Sequence, residues 1–173
     1  MTKREIEKIK IEKKWTFKIM DIFERYFFLI FPLGLLLVSF SVTASGFKNN
    51  INNLKIGGLV SLCCSFYSLL FVVKRLYENQ IFKTFTITNL TIEKTETALL
   101  KSGFDNFKYY KTGYFEVVSK VSWFSWGEKI IIIQNGDEFL INSRPINQPI
   151  TFGMDKNNIR KIINQLKQME SFE

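Results

Sequence analysis

The chain has 173 residues, two cysteines, no histidine and a formal net charge of +8 at neutral pH. The absence of histidine removes the commonest general base and metal ligand, and the adjacent Cys63 and Cys64 lie inside an apolar run, which excludes a soluble thiol nucleophile or zinc site. The basic residues are spread along the chain without a cluster, so no nucleic-acid partner is expected.

The first 25 residues are predicted to form a basic, amphipathic helix in the cytosol. A helix over residues 3–24 places five apolar side chains on one face, namely Trp15, Ile19, Ile22, Phe23 and Tyr26. Two interpretations stay open: the helix lies on the membrane surface, or it extends the first membrane span into the cytoplasm.

Two uncharged apolar runs follow, over residues 26–47 and 56–73. Each approaches the roughly 20 helical residues that cross a bilayer core, so they predict two transmembrane helices. The loop between them, residues 48–55, is short enough to make the spans antiparallel neighbours. Gly57, Ser61 and Ser65 form a row of small residues, which favours close packing against the first span or against a second copy of the chain.

Positive charge flanks the spans on the side away from this loop. Eight Lys or Arg residues precede the first span and Lys74 and Arg75 follow the second, whereas the loop carries only Lys48 and Lys55. The positive-inside rule therefore places both termini in the cytoplasm. The Lys-, Asn- and Ile-rich composition is typical of a bacterial protein, so the predicted localisation is a bacterial inner membrane and the predicted partner is its lipid bilayer. A cleaved signal peptide is disfavoured because a long segment with five acidic residues precedes the first run.

Residues 74–173 are predicted to form a cytosolic α+β domain. The patterns indicate, in order, a strand over 82–88, a helix over 92–102, a strand over 109–120 with a bend at Gly113, strands over 129–134 and 138–142, and a final helix capped by Asp155 or Asn157. Asn135-Gly136 is a strong signal for a tight hairpin turn, and the run of four isoleucines before it indicates a strand buried on both faces. The order β-α-β-β-β-α predicts a two-layer sandwich behind the transmembrane hairpin.

The most distinctive soluble segment is the aromatic stretch before the third strand. Trp123 and Trp126 are predicted to form a binding platform, with Lys129 and Arg144 supplying positive charge beside it. The alternative is a loop that folds its aromatic side chains into the core. No metal ligand set, phosphate-binding glycine loop or cofactor motif is present, so no cofactor is expected.

These observations favour a membrane-anchored, non-catalytic binding protein with a cytosolic sensing or docking domain. The carboxylates of the soluble part are the only candidates for catalysis, and an enzymatic function is not expected. Two alternatives remain: a defence or toxin-type effector that perturbs the membrane under control of its soluble domain, and an immunity or accessory subunit that packs against another membrane protein. A protein partner or a homo-oligomer would then form through the transmembrane helices.

Overall fold

The computed structural model describes residues 1–16, 26–88, 91–121, 126–146 and 153–170. Their helices and strands are α1 (Lys3–Glu12), a short 3-10 helix (Phe27–Leu29), α2 (Ile30–Lys48), α3 (Asn52–Glu78), β1 (Lys83–Thr86), α4 (Ile92–Lys101), β2 (Phe107–Tyr110), β3 (Tyr114–Val118), β4 (Glu128–Asn135), β5 (Glu138–Pro145) and α5 (Met154–Glu170). The chain divides into two units: an apolar hairpin, Phe17–Glu78, and a sheet domain made of Met1–Thr16 and Asn79–Glu173.

The apolar hairpin contains two helices that are long and apolar enough to cross a bilayer, Phe27–Lys48 and Asn52–Glu78. Only 17% and 11% of their most apolar windows are buried in the structure, whereas the core helix of a soluble protein is mostly buried. The two helices are therefore compatible with the predicted transmembrane pair.

Small residues let α2 and α3 approach each other closely. A Cβ added to Gly58 would lie 2.8 Å from Thr43 Cα, and the Ser39 hydroxyl lies 2.7 Å from that of Ser61 and 3.2 Å from that of Ser65. Van der Waals contact and interhelical hydrogen bonds of this kind stabilise helix pairs in lipid, because the hydrophobic effect does not favour association of helices there. Of the predicted row, Ser61 and Ser65 thus contact α2, while no atom lies within 4 Å of a Cβ added to Gly57.

The sheet domain holds one antiparallel sheet with the strand order β1-β5-β4-β3-β2. The α+β class is confirmed. A tight hairpin turn joins β4 to β5 as predicted, but its two loop residues are Gly136 and Asp137, because Asn135 still belongs to β4 and pairs with Glu138; Gly136 has a φ of +63°. The predicted single strand over residues 109–120 is wrong. Gly113 adopts a φ of +93°, which reverses the chain and yields a hairpin of β2 and β3, because glycine reaches this region without steric cost.

Helices cover both faces of this sheet. Helices α4 and α5 bury Leu99 and Ile162 with Ile130 and Ile132 on one face. The other face carries Ile131 and Ile133, which are equally buried, and α1 contacts β4 with Ile6 and Ile9 buried. The predicted two-layer sandwich is therefore wrong: α1 adds a third layer, since alternate residues of a strand point to opposite faces and both faces of β4 are apolar.

Helix α1 is shorter than the apolar spacing predicted, because local capping residues set both of its ends. Thr2 and Glu5 form a reciprocal capping box at its start, and Lys13 ends it in the left-handed conformation with a φ of 52°. The predicted continuous helix over residues 3–24 is wrong for residues 13–16, which are not helical and belong to the sheet domain; residues 17–25 lie outside the described part of the chain.

We expect the third layer to depend on the buried face of α1. Replacing Ile9, whose exposed fraction is 0%, by alanine should lower the free energy of unfolding by about 2–5 kcal/mol, because it leaves a cavity against the sheet. The matched control is Ile11→Ala on the same helix, since Ile11 is 81% exposed and its loss should change stability by less than about 0.5 kcal/mol. Urea unfolding of the detergent-solubilised chain measures both, and equal effects would contradict the layer.

The attachment of α1 also predicts a dependence on alkaline pH. The amino group of Met1 donates a 2.8 Å hydrogen bond to the Tyr114 hydroxyl, and burial, followed by the nearby Tyr110 and Glu116, raises the pKa of Tyr114 to about 12. A raised pKa favours the neutral phenol in the folded state, so its contribution to stability is complete below about pH 10 and disappears as pH rises through about 12.

The Tyr114→Phe variant should lose less stability than the natural chain between about pH 9 and pH 12, by at most about 3 kcal/mol for a shift of about two pKa units. Other tyrosines and lysines titrate in both proteins, so the difference isolates Tyr114. Parallel stability curves over this range would exclude a buried neutral phenol.

Candidate functional site

The two chain segments that border the apolar hairpin meet in the sheet domain. Lys14 and Ile81 form an antiparallel bridge; Trp15 N donates to Gln80 O at 3.0 Å, and Phe82 N donates to Lys13 O at 2.8 Å. We call this the junction, residues 13–15 and 79–82. The junction joins the two parts of the sheet domain that the hairpin separates in the sequence.

Asn142 of β5 holds the junction through three hydrogen bonds. Its amide nitrogen donates to the carbonyls of Asn79 (3.1 Å) and Ile81 (2.8 Å), and its amide oxygen accepts from Trp15 Nε1 at 2.7 Å. Because Asn142 is buried, each of these groups would otherwise lose its hydration without compensation.

The predicted site residues separate into different roles. Arg144 stacks its guanidinium 4.0 Å from the centre of the Trp15 ring, and Lys129 forms a 2.7 Å ion pair with Glu116. Lys129 and Arg144 are register partners on β4 and β5, so the structure brings these two together. Trp126 is 65% exposed, which contrasts with the alternative of a core position, and Trp123 lies outside the described residues.

Exposed apolar residues surround Gly127 at the end of the sheet where β4 begins and β5 ends. The position of a Cβ on Gly127 lies 3.7 Å from Ile146 Cδ1 and 4.0 Å from Val121 Cγ2, and Trp126 is the neighbouring residue. Val121 is 73% exposed and Ile146 is 44% exposed. We call Val121, Trp126 and Ile146 the apolar patch.

Backbone geometry fixes the patch. Gly127 has a φ of +100°, a region that side chains disfavour, and a Cβ there would approach Ser119 O to 3.2 Å. Its carbonyl accepts from Ile146 N at 3.2 Å, while Ser119 N donates to Glu128 O at 2.9 Å. The patch is thus tied to the ends of three strands.

The junction and the apolar patch lie at the same end of the sheet. Strand β1 runs antiparallel to β5 with Lys83 opposite Ile141, so the residues before Lys83 lie beside the residues after Ile141. Asn79 and Ile146 therefore share this end, and the turn at Asn135-Gly136 marks the opposite end of β4 and β5.

Two carboxyl groups of the sheet domain, those of Glu128 and Asp105, interact with neighbouring side chains. Glu128 is fully buried and accepts hydrogen bonds from the Ser143 hydroxyl at 2.5 Å and from the Asn158 amide at 3.0 Å, which connects α5 to the sheet. On the surface, the Lys120 ammonium donates to Asp105 and holds the pKa of that carboxyl below its usual value. Among the described residues, no group of three or more His, Cys, Asp or Glu side chains could hold a metal ion.

Comparisons of the chain with protein-family models, curated proteins and solved structures find no match. The site must therefore be interpreted from its own geometry.

Loss of the Asn142 amide should weaken the junction. Asn142→Ala leaves the Trp15 donor and two buried carbonyls without this partner, so we expect a loss of about 2–4 kcal/mol in the free energy of unfolding. Asn157→Ala is the matched control, because Asn157 is exposed and accepts only a surface hydrogen bond from Arg160 among the bonds described. Urea unfolding followed by tryptophan fluorescence compares them, and similar midpoints would remove Asn142 from its assigned role.

Proposed function

We propose that the chain is a membrane-anchored, non-catalytic interaction protein. Its α2–α3 hairpin spans a bacterial inner membrane with both termini in the cytoplasm, and its sheet domain senses or docks a partner at the cytoplasmic surface. The observation that carries this proposal is that the hairpin is an insertion in the sequence of the sheet domain. The two segments of the sheet domain that border the insertion pair with each other at the junction.

The exposed surface of the hairpin supports anchoring. Large apolar side chains such as Phe31, Leu37 and Phe40 are each about 60% exposed or more, and such extended apolar surface is rare on soluble monomers. Intramembrane hydroxyl groups are satisfied within the hairpin: Thr43 donates to Ser39 O at 2.7 Å, and Ser65 donates to Ser61 O at 2.8 Å. This is what a bilayer core requires of polar groups.

The arrangement of charge supports a non-catalytic domain. Asp105, Glu116 and Glu138 form ion pairs with lysines, and Glu128 is buried in a hydrogen-bonded contact. An acid–base mechanism needs a carboxyl group that a substrate can reach, and Glu128, the acid beside the predicted platform, is fully buried. The apolar patch instead offers an accessible aromatic surface, which suits binding.

A partner in the membrane would meet the outer faces of the hairpin. Ser39, Ser61 and Ser65 are occupied in the contact between α2 and α3, whereas a Cβ at Gly34 or Gly57 would meet no atom within 4 Å. We therefore propose that self-association, or packing against another membrane protein, uses the side of α3 that carries Gly57.

Cysteine accessibility tests the anchoring and its orientation. In a Cys63→Ser/Cys64→Ser background, we place single cysteines by Asn53→Cys in the connecting loop and by Lys101→Cys in the sheet domain. A membrane-impermeant maleimide should label the first in intact bacterial cells and the second only after lysis. Both variants should stay in the pellet after alkaline carbonate extraction.

Two results would overturn the proposal. Extraction of the chain by carbonate would remove the membrane anchor, and labelling of Lys101→Cys in intact cells would reverse the orientation.

A further inference from the structure

We propose that the apolar patch docks on the headgroup layer of the same bilayer that the hairpin spans. This inference rests on the proposed anchoring and names the occupant of the patch: a phospholipid surface.

The length of the connection supports this occupant. Helix α3 continues to Glu78, and Val73 is the last residue of its uncharged apolar run, so only five helical residues separate that run from Asn79. At 1.5 Å per residue, Asn79 lies within about 9 Å of Val73 along the chain. With the apolar run of α3 in a bilayer, this short connection keeps Asn79, the first residue of the junction after α3, within about 9 Å of the end of that run.

The position of the patch supplies the second step. Ile146 and Asn79 lie at the same end of the sheet because β1 and β5 are antiparallel. Side-chain atoms of Ile146 and Val121 lie within about 4 Å of the Cβ position of Gly127, and the exposed Trp126 precedes Gly127 in the chain. The exposed apolar side chains therefore lie at the end of the sheet where the chain enters the domain from α3. The opposite end, at Asn135-Gly136, presents the exposed Gly136 and Asp137 instead.

The chemistry of the patch fits lipid headgroups. Tryptophan concentrates at membrane interfaces, where its ring meets apolar groups and its N–H meets polar ones. Lys120, which is next to Val121, is highly exposed, and its ion pair with Asp105 is also at the surface. Exposed pairs contribute little to stability, so this ammonium can exchange its carboxylate for a lipid phosphate.

The experiment measures the depth of the patch directly. The full chain in the Cys63→Ser/Cys64→Ser background receives Val121→Cys, is labelled with a small environment-sensitive fluorophore and is reconstituted into phosphatidylcholine–phosphatidylglycerol vesicles. A fraction of the lipid carries a nitroxide on its headgroup. We expect headgroup nitroxides to quench this label at least three-fold more strongly than a label introduced by Asp137→Cys at the far end of the sheet.

A second variant separates docking from simple proximity. Addition of Trp126→Ser to Val121→Cys should reduce the quenching toward the level of the Asp137→Cys control, because the tryptophan is the largest apolar side chain of the patch. Trp126 is 65% exposed, so its replacement should leave the urea unfolding midpoint unchanged.

A third variant distinguishes failure of this inference from failure of the anchoring. A label at Leu37→Cys, which is 66% exposed on α2, should be quenched by nitroxides placed deep in the acyl chains. If that label is quenched while Val121→Cys is quenched no more than Asp137→Cys, the patch does not dock on lipid and is left to a protein partner. If the Leu37→Cys label is not quenched, the anchoring and the docking both fail.

Discussion

The antiparallel junction between residues 13–15 and 79–82 is the constraint on which the rest of the structure depends. It lets one chain leave a folded sheet domain, form a long apolar hairpin and return beside its point of departure. Closing such an excursion has an entropic cost, but the cost grows only slowly with length. The antiparallel packing of α2 and α3 already brings the two ends of the hairpin to one side, which reduces it further.

The junction also makes α1 part of the sheet domain. Strand β4 has Ile131 and Ile133 on the face away from α4 and α5, and these residues need cover from water. Helix α1 covers them with its buried residues Ile6 and Ile9. The residues after the helix, from Lys13 to Trp15, then join the junction, where the Trp15 ring N–H donates to Asn142. The domain therefore requires both sides of the hairpin insertion, and a fragment that starts near Phe82 lacks one layer of its core.

Features with local causes could be predicted from the sequence. The apolar runs, the helices α4 and α5 and the hairpin turn after Asn135 are each set by neighbouring residues. The placement of α1 was not predicted, because Trp15 and Asn142 are 127 residues apart and the spacing of Trp15 also fits a helix. The isoleucine run already indicated burial on both faces, which a two-layer fold does not provide.

For the candidate site, the chemistry of single residues could likewise be predicted from the sequence, whereas their contacts with distant residues could not. The sequence singled out Trp126, Lys129 and Arg144 by their chemistry, but only the tertiary structure shows that Arg144 and Lys129 already interact with Trp15 and Glu116. Among the described residues at this end of the sheet, Val121, Trp126 and Ile146 are exposed apolar side chains, and apolar surface gains free energy when a partner buries it. Chain connectivity then favours a lipid partner, because the junction at this end of the sheet is continuous in sequence with the apolar helix α3.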